Sequence, residues 1–302
     1  MSLGLRDVGR LKGRMSAMCQ KCVQDLSFFA VLGNSSGYPG ARETITSFDD
    51  EAVIACQQRY DKTDNISHMT KSHTDIIVAA HGWSYPAWSN SFYPDDLPED
   101  WQLAYYSNEF RAVMVPAAEF AGVDPVEVER WVEDVVEGFE FYLEVTDLFI
   151  DWAQFAQAAK PLGAHLKGIL LRPLTVDEDL AMIAPSLDAA TVLAPVCVLL
   201  PEGVVISDNG RNLLAQHGIE LCWNVHEGKP GWRGGGFVVA RVSGNNHYTP
   251  KEWRETIEAC LRCGNKSSDR RKVLLMVEHE SPEPDALRAA MMIGDMLVIP
   301  DI

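Results

Sequence analysis

The sequence predicts a single TIM-like (β/α)8 barrel with parallel strands, which begins at about Asp75 and is preceded by an irregular N-terminal extension. Short β-branched or apolar runs recur eight times. Helical patterns separate most of them, as repeated βα units require. Several runs are almost wholly apolar, which is typical of strands buried on both faces of a parallel sheet. We expect residues 1–73 to form the extension and residues 74–302 the barrel domain.

The predicted elements follow one another in regular alternation. The strands are Asp75–Ala80, Ala112–Val115, Phe139–Val145, Gly168–Leu171, Val192–Leu200, Ile219–Trp223, Phe237–Val242 and Val273–Val277. The helices include Asp100–Glu109, Asp124–Val136, Thr175–Leu187, Asp208–His217, Thr249–Leu261 and Pro284–Met296. In three helices a polar residue precedes a proline or an acidic first turn, as at a helix N-terminus. Only a Gly-rich loop, His226–Gly236, joins the sixth strand to the seventh, and it is too short for a helix.

The first 73 residues have a different character. They show little sustained periodicity and contain a polar, turn-rich stretch at Gly33–Ser47. A chain from Met69 to Ile302 would have 234 residues, close to the roughly 250 that are typical of one barrel. Two interpretations therefore stay open. Met69 is the natural start, or the segment is a loosely packed arm of the native protein.

Composition and charge exclude several functions. No apolar run reaches the roughly 18–20 residues that span a bilayer. The net charge of −17 repels polyanions, so we expect no nucleic-acid partner. The seven cysteines include two Cys-x-x-Cys pairs, Cys19/Cys22 and Cys260/Cys263, which lie too far apart in sequence to predict a zinc site or a disulfide framework. The prediction is a cytoplasmic protein without a cofactor or a membrane partner.

The most distinctive motifs follow the first strand. The chain reads Gly82-Trp83-Ser84-Tyr85-Pro86-Ala87-Trp88, then Phe92-Tyr93-Pro94 and Leu103-Ala104-Tyr105-Tyr106. This pattern resembles the domain-of-unknown-function 72 family (YecE-like), whose opening reads G-W-S-Y-x-x-W, F-Y-P and L-x-Y-Y at matching spacing. Weaker matches extend the resemblance over about residues 74–297. The resemblance implies a β/α barrel, in agreement with the strand count, and names no reaction.

The chain departs from the family pattern near several strand ends. The family's V-E-I-N-x-T-F-Y corresponds to Val113–Phe120, where the matching acidic, amide and hydroxyl groups are missing. The family's lysine after the third strand corresponds to Glu144, and its paired asparagines to Glu278 and His279. Arg241 and the first-strand loop persist. The resemblance therefore implies that any chemistry of the family's strand-end residues is lost or altered here.

Barrels of this kind carry their working residues at the carboxyl ends of the strands. On that rim the sequence places His81, Trp83, Ser84, Tyr85, Glu119, Glu144, Arg172, Asn224, His226, Arg241, Ser243, Glu278 and His279. The candidate catalytic residues are Glu144, Glu278 and His279, because two carboxylates in different environments can form an acid/base pair. The candidate ligand-binding residues are Trp83, Ser84 and Tyr85, an aromatic platform beside a hydroxyl. Arg241 joins them as a rigid fork for a carboxylate or phosphate.

Each candidate also has a structural interpretation. The aromatic residues Trp83 and Tyr85, with Trp88 and Tyr93, can plug one end of the barrel and fix its first loop. Arg241 can belong to a structural ion pair. No metal site is predicted from Glu144, His226 and His279, since they form no close-spaced ligand signature. Three glycines at 234–236 beside Arg233 are a weak indication of anion binding.

Two functions remain open from the sequence. The first is a non-catalytic barrel that binds a small ligand or serves as a scaffold, because at least four polar rim positions of the family are replaced. The second is an enzyme with a rebuilt acidic site, using Glu144, Arg241, Glu278 and His279 on a small substrate that is not a polyanion. The two differ in whether these four side chains meet in one pocket.

Overall fold

A computed structural model describes residues 74–147, 150–232, 236–244, 247–262 and 271–297 of the chain. The predictions for residues 1–73, including the start at Met69, lie outside these residues. So does Arg233 with the first two glycines that follow it. Within the described residues, the alternation of strands and helices expected of a β/α barrel is confirmed.

The described residues form nine strands and eight α-helices. The strands are β1 (Thr74–His81), β2 (Ala112–Val115), β3 (Glu140–Val145), β4 (Leu166–Leu171), β5 (Val196–Val198), β6 (Glu220–Leu221), β7 (Trp223–Asn224), β8 (Phe237–Ser243) and β9 (Arg271–Glu278). The helices are α1 (Gln102–Glu109), α2 (Ala117–Phe120), α3 (Pro125–Asp134), α4 (Trp152–Ala159), α5 (Ala184–Leu193), α6 (Asp208–Gln216), α7 (Pro250–Arg262) and α8 (Pro284–Leu297). No helix in this part of the chain has the length and apolar character needed to cross a membrane.

The sheet closes through one interrupted strand. All strand pairs are parallel, and their order is β6-β5-β4-β3-β2-β1-β9-β8-β7. β6 pairs with β5 and β7 pairs with β8, and only Cys222 separates β6 from β7. The segment 220–224 therefore supplies both edges of the sheet. The nine strands occupy the eight positions of a nearly closed barrel, as the eight predicted strands require.

Alternation along the strands separates the barrel interior from the face that the helices cover. On β3, Phe141 and Leu143 pack into the core under the helices, whereas Tyr142 packs into the interior. Leu170 of β4 and Met276 of β9 also belong to this interior cluster. The centre of the barrel is thus a packed apolar core, as is usual for eight strands.

Two predicted boundaries are wrong in the middle of the chain. The predicted fifth strand begins at Val192, but α5 continues to Leu193 and β5 covers only Val196–Val198. Val192 is 84% exposed on that helix. The strand was predicted to begin there because β-branched residues such as valine are enriched in strands. The predicted helix Thr175–Leu187 is wrong at its start. Leu180 has a positive φ of 59°, a conformation that a helix cannot contain, and α5 begins only at Ala184.

Candidate functional site

Polar side chains from six strand ends meet in one connected set at the mouth of the barrel. The set, called the mouth network below, consists of His81, Glu144, Arg172, Asn224, Arg241 and Glu278. Each of these residues lies within two positions of the end of its strand. Because parallel strands bring their carboxyl ends to the same side of a barrel, residues far apart in sequence become neighbours here.

Glu144 is held on both carboxylate oxygens. Its side chain is only 5% exposed. Oε2 accepts hydrogen bonds from His81 Nε2 at 3.1 Å and from the Ala117 backbone N–H at 3.2 Å, while Oε1 accepts from Arg172 Nη1 at 3.0 Å. Burial raises the pKa of Glu144, but the bonds from His81, Arg172 and Ala117 outweigh it and hold the pKa at about 2. Since an ionised carboxylate can only accept, the bonded His81 Nε2 carries a proton.

Glu278 lies between two guanidinium groups. Arg172 Nη1 donates to its Oε1 at 2.8 Å, and Arg241 Nε donates to its Oε2 at 2.5 Å. Arg241 also donates through Nη1 to Asn224 Oδ1 at 3.3 Å. Burial raises the pKa of Glu278, but Arg241 and Arg172 together bring it below its usual value. The two carboxylates and two guanidinium groups of the network therefore neutralise one another at neutral pH.

The stabilisation that Glu144 provides is expected to disappear in acid. A carboxylate whose pKa is lowered by folding stabilises the native state above its unfolded pKa of about 4.3, and the contribution is lost as the pH falls through the folded pKa. For a folded pKa of about 2, the full contribution is on the order of 3 kcal/mol. Urea unfolding of the wild type and Glu144→Gln from pH 7 to pH 3 measures it. The difference in free energy of unfolding should shrink below about pH 4.3, and a constant difference would contradict the pairing.

The loop after β1 is fastened by its own aromatic side chains. The Tyr85 hydroxyl donates to the carbonyl of His81, and the Tyr93 hydroxyl donates to the carbonyl of Trp83 at 2.5 Å. Ser84 is exposed. These contacts agree with the structural interpretation of the aromatic residues. The assignment of Trp83, Ser84 and Tyr85 to ligand binding stays a prediction.

His279 does not join the mouth network. Successive side chains of a strand point to opposite faces, so Glu278 faces the interior and His279 faces the helices. The His279 ring borders a cavity of about 190 Å³ that is also lined by Tyr248 and Trp253. Its Nε2 is buried and has no hydrogen-bond partner among the described residues, and burial lowers the pKa of this imidazole. Of the four residues proposed for a rebuilt acidic site, Glu144, Arg241 and Glu278 thus meet in the mouth network. His279 lies at a different cavity.

The remaining rim residues make local contacts. His226 Nε2 donates to the carbonyl of Ser243 at 2.8 Å, and Glu119 is exposed near Gly82. Over the described ranges, no three His, Cys, Asp or Glu side chains are grouped in a way that could hold a metal ion. Cys260 is buried on α7.

A cavity of about 340 Å³ opens beside Glu144. It is lined by residues of α2, α4 and the carboxyl end of β3, and is called the α2–α4 groove below. Its apolar wall includes Phe120, Val123, Val145, Ile150 and Phe155. Its polar wall includes Glu144, Asp147, Asp151 and Gln154, and none of the described residues that line it is basic. The groove and the mouth network therefore share one residue, Glu144.

Sequence reasoning missed two features of this region. Arg172 was placed on the rim without a role, although it shares a face of its strand with the interior residue Leu170. That parity was the available signal. The second feature is α4, which begins after Asp151, whose carboxylate accepts from the N–H groups of Ala153 and Gln154. An Asp before an apolar stretch is an N-cap signal that could have located this wall of the groove.

The fold and the mouth network define the class of protein: a parallel β/α barrel with paired charges at the carboxyl ends of its strands. A family model described as "Protein of unknown function DUF72" matches residues 77–301. The chain belongs to the DUF72 family, and the resemblance stated from its motifs is confirmed.

Two solved structures of this family are similar to the chain. A DUF72 family protein from Thermotoga maritima matches with 16% sequence identity and a TM-score of 0.53, covering 74% of this chain and 99% of that one. Another from Enterococcus faecalis matches with 16% identity and a TM-score of 0.54, covering 76% of this chain and 100% of that one. At this identity the likeness shows the fold alone. No sequence among the curated proteins matches the chain.

Proposed function

We propose that this chain is a small-ligand-binding barrel whose ligand occupies the α2–α4 groove. One observation carries the proposal: Glu144 lies both in the groove wall and at the centre of the mouth network. The groove also opens at the carboxyl ends of the strands, where barrels bind their ligands. Its volume of about 340 Å³ falls within the range of small-molecule sites.

The mouth network gives the groove a fixed shape. Glu144 accepts from the N–H of Ala117, the first residue of α2, and α2 forms one wall of the groove. Arg172 holds Glu144, and Arg241 holds Glu278, which in turn holds Arg172. In this proposal Arg241 and Glu278 are positioning residues, which act on the ligand through Glu144.

The charge arrangement supports binding over acid/base catalysis. A general acid must keep its proton near the working pH, whereas the pKa of Glu144 is about 2 and that of Glu278 is lowered. Catalytic carboxylate pairs occupy environments that separate their pKa values, but Arg172 lowers both. Its Nη1 bonds both carboxylates and so lies between them, where a glycosidase would hold the bond that it cleaves. An enzyme with a rebuilt acidic site is the alternative, favoured by the meeting of Glu144, Arg241 and Glu278.

A thermal-shift screen of the full-length chain tests the proposal with two matched variants. Gln154 and Gln157 are both exposed on α4, but only Gln154 lines the groove. Gln154→Trp should therefore fill the groove, and Gln157→Trp should leave it open. We expect a stabilising compound to raise the melting temperature of the wild type and of Gln157→Trp by several degrees at a hundredfold its dissociation constant. Gln154→Trp should show no shift.

Three results would contradict the proposal. A compound that stabilises Gln154→Trp as strongly as the wild type binds elsewhere on the chain. A panel of aromatic and aliphatic cations, neutral compounds and anions that stabilises neither the wild type nor Gln157→Trp would favour a closed barrel. Turnover of a compound from the panel that Glu278→Gln abolishes would favour the enzyme instead.

A further inference from the structure

We infer that the α2–α4 groove selects an organic cation, an apolar or aromatic body that carries an ammonium group. The inference rests on the proposed function, because it names the ligand class of the same site. It depends on two properties of the groove that differ along its depth: an apolar inner wall and an acidic edge.

The inner wall fits an apolar body. Phe120 and Phe155 meet edge to face with ring centroids 5.1 Å apart, and both line the groove with Val123 and Val145. Phe120 is buried, and Phe155 is partly buried. Aromatic faces at the wall of a groove bind flat or aliphatic groups and also attract a cation placed over them.

The edge of the groove is acidic. Asp147 and Asp151 are exposed there. Oδ1 of Asp151 accepts both N-cap bonds of α4, from Ala153 and Gln154. No hydrogen bond to its Oδ2 is found within the described part of the chain, and the residue is exposed. An ammonium group at this edge would meet the Asp151 carboxylate while its apolar body lies against Phe155.

The same groups disfavour an anion. Glu144, Asp147 and Asp151 all border the groove, and no described lining residue is basic. The Arg172 guanidinium that contacts Glu144 is already bonded to two carboxylates, Glu144 and Glu278. The whole chain carries a net charge of −17, which adds a repulsive field for anions and an attractive one for cations.

Three compounds with one apolar body test this selectivity on the full-length chain. 4-Phenylbutylamine, 4-phenylbutanol and 4-phenylbutyrate differ mainly in charge, and isothermal titration calorimetry at pH 7 measures their affinities. We expect the amine to bind about tenfold more tightly than the alcohol, because the alcohol makes neither the cation–aromatic nor the cation–carboxylate contact. The butyrate should bind most weakly. Added salt should reduce the preference for the amine, because it screens exposed charges.

Two aspartate variants assign the preference to the edge of the groove. Asp151→Asn keeps an N-cap residue and removes one charge, so it should weaken the amine about threefold or more and leave the alcohol unchanged. Asp177→Asn is the matched control, because Asp177 also accepts two backbone N–H groups, from Ala181 and Met182, but does not line the groove. It should change neither affinity.

The outcomes separate the ligand class from the site. Equal affinity for the three compounds, lost in Gln154→Trp, would overturn the cation inference and leave the proposed function standing. A preference for the amine that Asp151→Asn and Asp177→Asn reduce equally would also overturn it, because the effect would come from net charge. Amine binding that survives Gln154→Trp, or no binding by any of the three compounds, would overturn the inference together with the proposed site.

Discussion

Substitution of Glu144 with leucine is expected to lower the free energy of unfolding by about 3–5 kcal/mol, the cost of removing one partner from a buried ion pair. The Glu144 carboxylate accepts from His81, Arg172 and the Ala117 backbone N–H. A leucine leaves these three donors without that acceptor at the barrel mouth, where unsatisfied donors are costly. Arg172 keeps Glu278 as a partner, which places the loss toward the lower end of the range.

The matched control for this prediction is an exposed pair. Arg111 donates through both terminal nitrogens to Asp295, and the two side chains are 61% and 49% exposed. Arg111→Leu should cost at most about 1 kcal/mol, because solvent screens such pairs. Urea denaturation of both variants at pH 7 compares the two losses. If Glu144→Leu costs no more than Arg111→Leu, the mouth network contributes little to stability.

The fold class could be predicted because each strand carries its own local signal. Runs such as Ala112–Val115 of β2 and Val273–Val277 within β9 are wholly apolar, and this pattern needs no distant contact to be recognised. The motifs around Trp83 and Tyr105 identified the family for the same reason. The predictions were wrong where local preference and tertiary context disagree. Val192 is β-branched but helical and exposed, and Leu180 takes a positive φ that its residue type does not suggest.

The site could be predicted only in part, because it depends on which face of a strand each residue occupies. The rim residues were predicted from the rule that barrel proteins carry their functional residues at the carboxyl ends of the strands. Glu144, Arg241 and Glu278 do meet there. His279 follows Glu278 directly, so the pleat turns it to the helices. Strand parity could have placed Arg172 on the interior face, but its bonds to both carboxylates depend on distances between strands that the sequence does not contain.

Substitution of Trp88 with alanine is expected to lower the free energy of unfolding by about 3–5 kcal/mol, as for other large buried aromatic residues. Trp88 is 1% exposed, and its ring stacks on Tyr106 with centroids 6.1 Å apart. Its Nε1 donates to the carbonyl of Pro282 at 2.6 Å, which joins the loop after β1 to the segment before α8. Alanine would leave a cavity at this junction and a carbonyl without its donor.

Trp101→Ala is the control, because Trp101 comes from the same stretch of chain but is 65% exposed, and it should cost less than about 1 kcal/mol. Chemical denaturation monitored by far-UV circular dichroism measures the free energy of unfolding of both variants without relying on tryptophan fluorescence. A much larger loss of stability in Trp88→Ala than in Trp101→Ala would mean that the fold requires the second tryptophan of the family's W-S-Y-x-x-W motif for packing. Equal and small losses would mean that packing does not explain Trp88, and the aromatic loop would then be the first place to look for a bound ligand.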